Sequence, residues 1–379
     1  MKVGTFITQP GGFKAFVPEL FPPQEEVPMD IGLINLLNKA THSLGKLDGI
    51  TQTLPNLSFF IFMYVRKEAA LSSEIEGTRA TMIDSIKAEL EESTDLPDDV
   101  DDIFHYIKAM DYGLQALSDL PLSLRLIKDV HRVLLTGGRH SQPATPGEFR
   151  KSQNWIGGAT PDSAKFVPPP VHEMLRSLGE LELFLKNEDG PIPSLIKIGL
   201  AHAQFETIHP FRDGNGRTGR LLVTFYLCEQ GALEKPVLYL SEFFKKNRDL
   251  YFDLLNNYHN KGEVLPWLTF FLEGVTSVAE AAIKTSKKID ALRNKDIERI
   301  QSFGGKSTKP VMAVLNKLYE LPIVNVSKVQ EWAGFSSRSS ANELVDKLVK
   351  VGILKQRDES KDYARTFAYQ EYLDAFATE

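Results

Sequence analysis

Apolar residues recur at helical spacing along most of this chain, and Gly, Pro and polar clusters mark the intervals between those stretches. The segment IGLINLLNKATHSLGKL, which opens at Ile31, has apolar positions three and four apart, and Asp30 stands where a helix N-cap belongs. A second helix is expected over about 57–76, ended by Gly77, a residue suited to the C′ position. Further helices are expected at about 81–92, 99–118, 122–135, 171–187 and 193–207, with Pro193 well placed to start the last. The period resumes over about 215–230, closed by Gly231, and again over 241–259 and 263–294.

Three stretches break this texture. The first 25 residues are rich in Gly and Pro and read as an irregular arm. Between Gly137 and Pro170, Gly/Pro punctuation alternates with the strand-like pieces QNWIG and KFVP, which predicts a β-hairpin on a helical body. QSFGGKSTK, at 301–309, reads as a linker. Beyond it, PVMAVLNKLYEL, VSKVQEWAGF, SRSSANELVDKLVKVGIL and KQRDESKDYARTFAY read as three helices and a hairpin. That order predicts a winged helix-turn-helix with Ser339–Val351 in the recognition-helix position. The expected fold class is therefore mainly α: a helical core with a β-hairpin flap, plus a C-terminal winged helix-turn-helix. The expected division is 1–98, 99–300 and 301–379.

Composition narrows the function. With 379 residues and 42% hydrophobic content the chain can bury cores for two or three domains. A net charge of −6 and a pI near 5.9 argue against a general polyanion binder. The single cysteine, Cys228, excludes a disulfide framework and a multi-cysteine metal site, and its run LLVTFYLCEQG reads as a buried thiol. The opening MKVGTFITQPGGFKAF has no apolar signal core, and no run approaches the roughly 20 residues that cross a bilayer. A soluble, cytoplasmic protein with no membrane partner is expected.

The chemistry concentrates in HPFRDGNGRTGR, His209–Arg220. Gly214 and Gly216 permit a tight turn whose backbone N–H groups converge, and the helix that follows aims its positive end at the same point. Arg217 and Arg220, three apart on that helix, share a face, and two guanidiniums beside a helix N-terminus point to a polyphosphate. Asp213 is a candidate ligand for the Mg²⁺ such a group brings, because Mg²⁺ is usually held by one or two carboxylates plus phosphate oxygens. His209 can take a proton from an attacking hydroxyl near neutral pH. Each residue alone has an ordinary structural explanation; their conjunction within one short segment does not. His202, on the apolar face of the preceding helix, reads instead as a satisfied core histidine.

HPFRDGNGRTGR resembles the complete Fic-family signature, HPF-x-[D/E]-GNGR-x-x-R. The resemblance implies a Fic-type helical core and transfer of AMP from ATP to a Ser, Thr or Tyr hydroxyl of a target protein. It makes His209 the general base, Phe211 the loop's anchor and Asp213 the Mg²⁺ ligand. Gly214, Asn215 and Gly216 would bind the α- and β-phosphates, Arg217 would contact phosphates, and Arg220 would reach the γ-phosphate. Thr218 and Gly219 complete the stretch assigned to ATP. TPGEFR with NWIGG and AKFVPPP resembles the Fic flap, a hairpin that docks the target by strand addition. KKNRDLYFDLLNNY resembles the helix lining the adenine pocket, with Tyr251 the expected contact.

LSSEIEGTRA adds a restraint. Ser72–Gly77 resembles the Fic inhibitory motif, [S/T]-x-x-x-E-[G/N], in its N-terminal position, which implies that Glu76 pairs with Arg220 and takes the γ-phosphate position. The C-terminal unit, 306–379, has 11 Lys/Arg against 10 Asp/Glu, a weaker basic bias than dedicated DNA-binding domains show. Arg338, Lys347 and Lys350 could touch phosphates there. An alternative function is thus a DNA-binding regulator whose Fic domain senses nucleotide. The sequence leaves open the target protein, self-modification, AMP removal, DNA binding and homodimer formation.

Overall fold

The computed structural model describes residues 1–22, 25–53, 57–90, 96–137, 145–187, 191–301, 308–360, 363 and 365–377. Eleven helices among these precede the C-terminal unit: α1 (Ile31–Thr53), α2 (Leu57–Ile75), α3 (Met82–Glu89), α4 (Val100–Ala116), α5 (Leu124–Leu135), α6 (Val171–Lys186), α7 (Ser194–Ile208), α8 (Asn215–Glu229), α9 (Ser241–Lys246), α10 (Arg248–Lys261) and α11 (Val264–Gln301). Their starts follow the local chemistry. Asp30 Oδ1 accepts the N–H of Leu33 at 2.7 Å and caps α1, and Thr81 and Asp84 form a capping box on α3.

Two helices form the centre. Every residue of α7 from Leu195 to Ile208 is buried, as is α8 from Arg217 to Leu227, which is the expected fate of helices without a polar face. α7 and α8 pack together; α2, α4 and α5 cover α8, while α6, α10 and α11 cover α7. The loop between the two central helices, 209–214, is therefore held on a rigid frame.

Four expectations need correction. The N-terminal arm is an ordered antiparallel hairpin, β1 (Gly4–Thr8) on β2 (Lys14–Pro18), with Gly4 opposite Pro18 and Thr8 opposite Lys14. Pro10, Gly11 and Gly12 fall in the turn, Gly4 and Pro18 stand at the open end of the hairpin, and TFIT and KAFV between them have the β-branched and aromatic character of strands. Phe16 lies buried beside Phe166 and His259, and its N–H donates to Val167 O at 2.9 Å, which joins this hairpin to the flap. The two arms of the flap pair at the single bridge Ile156–Phe166, and a short 3-10 helix, Pro161–Ser163, lies between them. The helix expected over 241–259 breaks at Asn247, and the helix expected to end at 294 continues to Gln301. Most of the linker expected at 301–309 lies outside the described residues.

The C-terminal unit runs α12 (Thr308–Leu318), β3 (Ile323–Asn325), α13 (Val326–Ala333), α14 (Arg338–Lys350), β4 (Lys355–Gln356), β5 (Thr366–Ala368) and α15 (Gln370–Asp374). Its antiparallel sheet has the order β3-β5-β4. The three helices and the hairpin match the expectation; β3 and α15 were not foreseen. The hydroxyl of Tyr369 donates to Asp296 on α11, both buried, and Arg299 bridges Asp296 at 2.7 Å and the exposed Glu371 at 2.9 Å, so the unit is joined to the body by polar groups as well as apolar ones. Among the described residues no helix is long and apolar enough to cross a membrane.

Candidate active site

The loop His209–Gly214 takes its shape from backbone geometry and from side chains distant in sequence. His209 ends α7 in the left-handed region, φ 47°, which is unusual outside glycine. Gly214, φ 75°, opens α8 in the same region, where glycine carries no steric penalty. Phe211 is fully buried between them, as expected. The amide of Asn215 is committed to the loop itself: its Oδ1 accepts Phe211 N–H at 2.8 Å and its Nδ2 donates to Phe211 O at 2.9 Å. Its backbone N–H lies in the first turn of α8, among the donors a helix N-terminus leaves without an intrahelical partner.

Three further holders escaped the sequence reading. Arg150, 2% exposed, donates Nε to His209 O at 3.0 Å and also reaches the carbonyls of Ser152, Pro169 and Ile208. Burial pushes its pKa down to about 10. Asn154 Nδ2 donates to His209 O at 3.2 Å and Phe211 O at 3.0 Å, which ties the flap to the loop. His131 lies 3.0 Å from Asp213 O through Nε2, and burial pushes its pKa down to about 4. These residues lie some 55 to 82 positions from their loop partners. No periodicity reports such contacts; the presence of Arg150 and Asn154 within the flap-like segment was the available signal.

His209 itself is half-buried. Burial lowers its pKa to about 4, assisted by Arg150 and opposed by the charge of Glu76, the Glu206 carbonyl and Asp213. The ring is consequently neutral, hence able to accept a proton, throughout the neutral range.

The arginines behave differently from each other. Arg217 is held between Asp102, at 3.9 Å, and Asp213, at 3.7 Å. Arg220 donates Nε to Ser72 Oγ and Nη2 to Ser72 O and Glu76 Oε1, each at 2.8 Å. Burial disfavours its charge, but the adjoining Glu76 carboxylate holds the pKa above its ordinary value. Glu76 follows α2 directly, and Gly77 turns away at φ 100°. Its carboxylate also lies against Gly216, where a Cβ would stand 2.1 Å from Oε1. A side-chain anion thus occupies the positive end of α8. The turn around it is pinned: Asp99 accepts the N–H groups of Arg79 and Ala80 at 2.8 and 3.0 Å, and Arg248 donates to Ile75 O at 3.2 Å.

Other assigned residues stand behind this surface. Thr218 and Gly219 are buried in the first turn of α8, with Gly219 O accepting from His202 Nδ1 at 3.0 Å. His202 Nε2 then accepts from Tyr251 OH at 2.9 Å. Both are fully hydrogen-bonded in the core; Tyr251 is 1% exposed, stacked on Phe244, and offers no open face to an adenine. Among the described residues no group of three or more His, Cys, Asp or Glu side chains is placed to hold a metal. Asp213, with its carboxylate partly exposed at the loop, fits a Mg²⁺ that takes its other ligands from phosphates and water.

Comparison with known proteins agrees with this geometry. Residues 34–115 match the Fic/DOC family N-terminal region and residues 121–227 match the Fic/DOC family. "Protein adenylyltransferase Fic" of Aedes aegypti is 32% identical over 153 residues, 40% of this chain and 27% of that protein. The counterpart from Drosophila grimshawi is 31% identical over 167 residues, 44% of this chain and 31% of that protein, so the matched segment spans under a third of these curated relatives. In fold, the crystal structure of a Fic family protein from Desulfovibrio desulfuricans G20 superposes with a TM-score of 0.57 at 17% identity, covering 91% of this chain and 98% of that one. The chain has the Fic fold and belongs to the Fic/DOC family.

Proposed function

We propose that this chain is a protein adenylyltransferase that moves AMP from ATP to a Ser, Thr or Tyr hydroxyl of a target protein, and that Glu76 holds it inactive. The observation that carries this reading is the anion site at the start of α8, formed by the N–H groups of Asn215–Arg217 with Arg220 alongside, and filled by the chain's own Glu76 carboxylate. The name shared by the curated relatives supports the same chemistry.

In the proposed reaction the triphosphate lies along those N–H groups and Arg217. Asp213 is the residue that would hold Mg²⁺, which neutralises phosphate charge when bound. The target hydroxyl attacks the α-phosphorus and its proton passes to neutral His209. The bond between the α-phosphorus and its oxygen to the β-phosphate breaks, and pyrophosphate leaves. Positioning and charge neutralisation supply most of the acceleration. The flap, tethered to the loop through Asn154, would present the target backbone beside His209.

For the γ-phosphate to engage Arg220, Glu76 must give up its bond to Nη2, whereas both contacts with Ser72 can persist. The test is transfer from α-labelled ATP with Mg²⁺ and cell lysate. Glu76→Gly is expected to label proteins at least tenfold faster than wild type, and Glu76→Gly/His209→Ala not to label them at all. Equal labelling by wild type and Glu76→Gly would remove the inhibitory role; no labelling by either, with peptide mapping finding no AMP adduct, would remove the activity.

A further inference from the structure

His131 has no part in the scheme above, yet it touches three portions of the site. It lies on the core face of α5 with no solvent exposure. Its Nδ1 accepts the N–H of Gly147 at 2.9 Å, where the chain turns towards the flap. Its Nε2 lies 3.0 Å from Asp213 O, and its ring stacks on Phe211 with centroids 3.6 Å apart and planes 5° from parallel. A backbone N–H can only donate, so Nδ1 is unprotonated. The neutral ring therefore carries its hydrogen on Nε2 and donates it to Asp213 O.

The consequence falls on one peptide unit, the link from Asp213 to Gly214. Its carbonyl is held by His131, and its N–H donates to Asp213 Oδ1 at 2.6 Å. A peptide preceding glycine meets little steric resistance to flipping, because the glycine accepts either sign of φ. A flip here would withdraw the Asp213 carboxylate and turn the entrance to α8 away from a bound anion. Apolar packing cannot prevent it, since both orientations have nearly the same shape; a hydrogen bond to the carbonyl can.

We propose that His131 is a positioning residue for adenylyl transfer: it fixes the Asp213–Gly214 peptide so that the carboxylate and the first N–H groups of α8 face the triphosphate together. The inference rests on the nucleotide reading above, and the two can fail separately. Three variants divide the roles of the ring in an otherwise Glu76→Gly protein. His131→Gln can place an amide donor near the position of Nε2. His131→Asn can offer an acceptor to Gly147 but no donor to Asp213, and His131→Phe keeps only volume and stacking.

The readouts are melting temperature, MgATP affinity by calorimetry and kcat at saturating MgATP. With all variants folded, His131→Gln should remain within about fivefold of its parent in kcat. His131→Asn and His131→Phe should lose about 10²-fold, the scale of a misplaced reacting group, and bind MgATP more weakly. The ¹⁵N spectrum of the histidine side chains at neutral pH should show His131 as the Nε2–H tautomer. Equal losses for Gln and Asn in an active parent, or an Nδ1–H tautomer, would overturn the positioning role and leave the nucleotide reading intact. A parent that neither binds MgATP nor transfers AMP sinks both.

Discussion

Single residues near the loop divide into those that face a ligand and those that shape the surface. Asn215 belongs to the second group through its side chain, which pairs with both polar backbone groups of Phe211. Asn215→Ala leaves the buried Phe211 N–H without that acceptor and should cost roughly 1–3 kcal/mol of stability, together with most of the activity; denaturant unfolding and labelling assays measure the two. His209, neutral down to a pKa of about 4, predicts a distinctive pH profile. Removing the Glu76 charge, which raises that pKa, lowers it further. In Glu76→Gly the pH profile of kcat/KM, which reports the free enzyme, should therefore show no loss between pH 8 and 5 from this group, where an ordinary histidine would titrate near 6.5. A half-loss centred near 6.5 that His209 controls would contradict the assignment. The reactive stretch was legible because its chemistry is contiguous, His209 to Arg220. The surroundings of Tyr251 were not legible, because an aromatic at helical spacing looks alike whether it lines a cleft or fills a core, and its hydrogen bond to His202 crosses 49 positions.

Among the elements, α2 and the turn after it matter most. Gly77 adopts φ 100° with nothing within 4 Å of the position a Cβ would take. Gly77→Ala is therefore a backbone perturbation alone, costing roughly 1–2 kcal/mol of left-handed strain. Its expected effect is a partial release of Glu76: labelling between wild type and Glu76→Gly, with a lower melting temperature. Activity equal to wild type in a destabilised Gly77→Ala protein would separate the geometry of this turn from inhibition. The helix and its glycine stop could be read from the 3.6-residue period and from the C′ preference. Its pins could not, because Asp99, Asp102 and Arg248 are ordinary surface-type residues in sequence and acquire meaning only when α4 and α10 fold against the turn. The N-terminal hairpin was missed for a different reason: Gly and Pro in its turn outweighed the strand character of the short segments on either side.

For the whole molecule, buried ionisable groups set a stability optimum. His131, His202, His209 and His259 have pKa values depressed from 6.5 to about 4, 4, 4 and 3. Below 6.5 the unfolded chain binds protons that the folded chain refuses, so their contribution is present above 6.5 and lost as pH falls. Glu68 and Glu206 have pKa values raised from 4.5 to about 7 and 8. The folded chain holds those protons, so that contribution is present below 4.5 and lost as pH rises through 7 to 8. Together the groups place the maximum melting temperature at about pH 6.5–7, declining on both sides; calorimetry across pH 4–9 tests it, and a monotonic trend would refute it.

The pairing of Glu76 with Arg220 lies within one chain, and this has a kinetic meaning. Under the proposed function the carboxylate would act as a tethered competitor whose effective concentration is set by the pinned turn after α2 and not by the amount of protein. Dilution should leave the specific activity of the wild-type chain unchanged, whereas restraint supplied by a neighbouring molecule would fade as the protein is diluted.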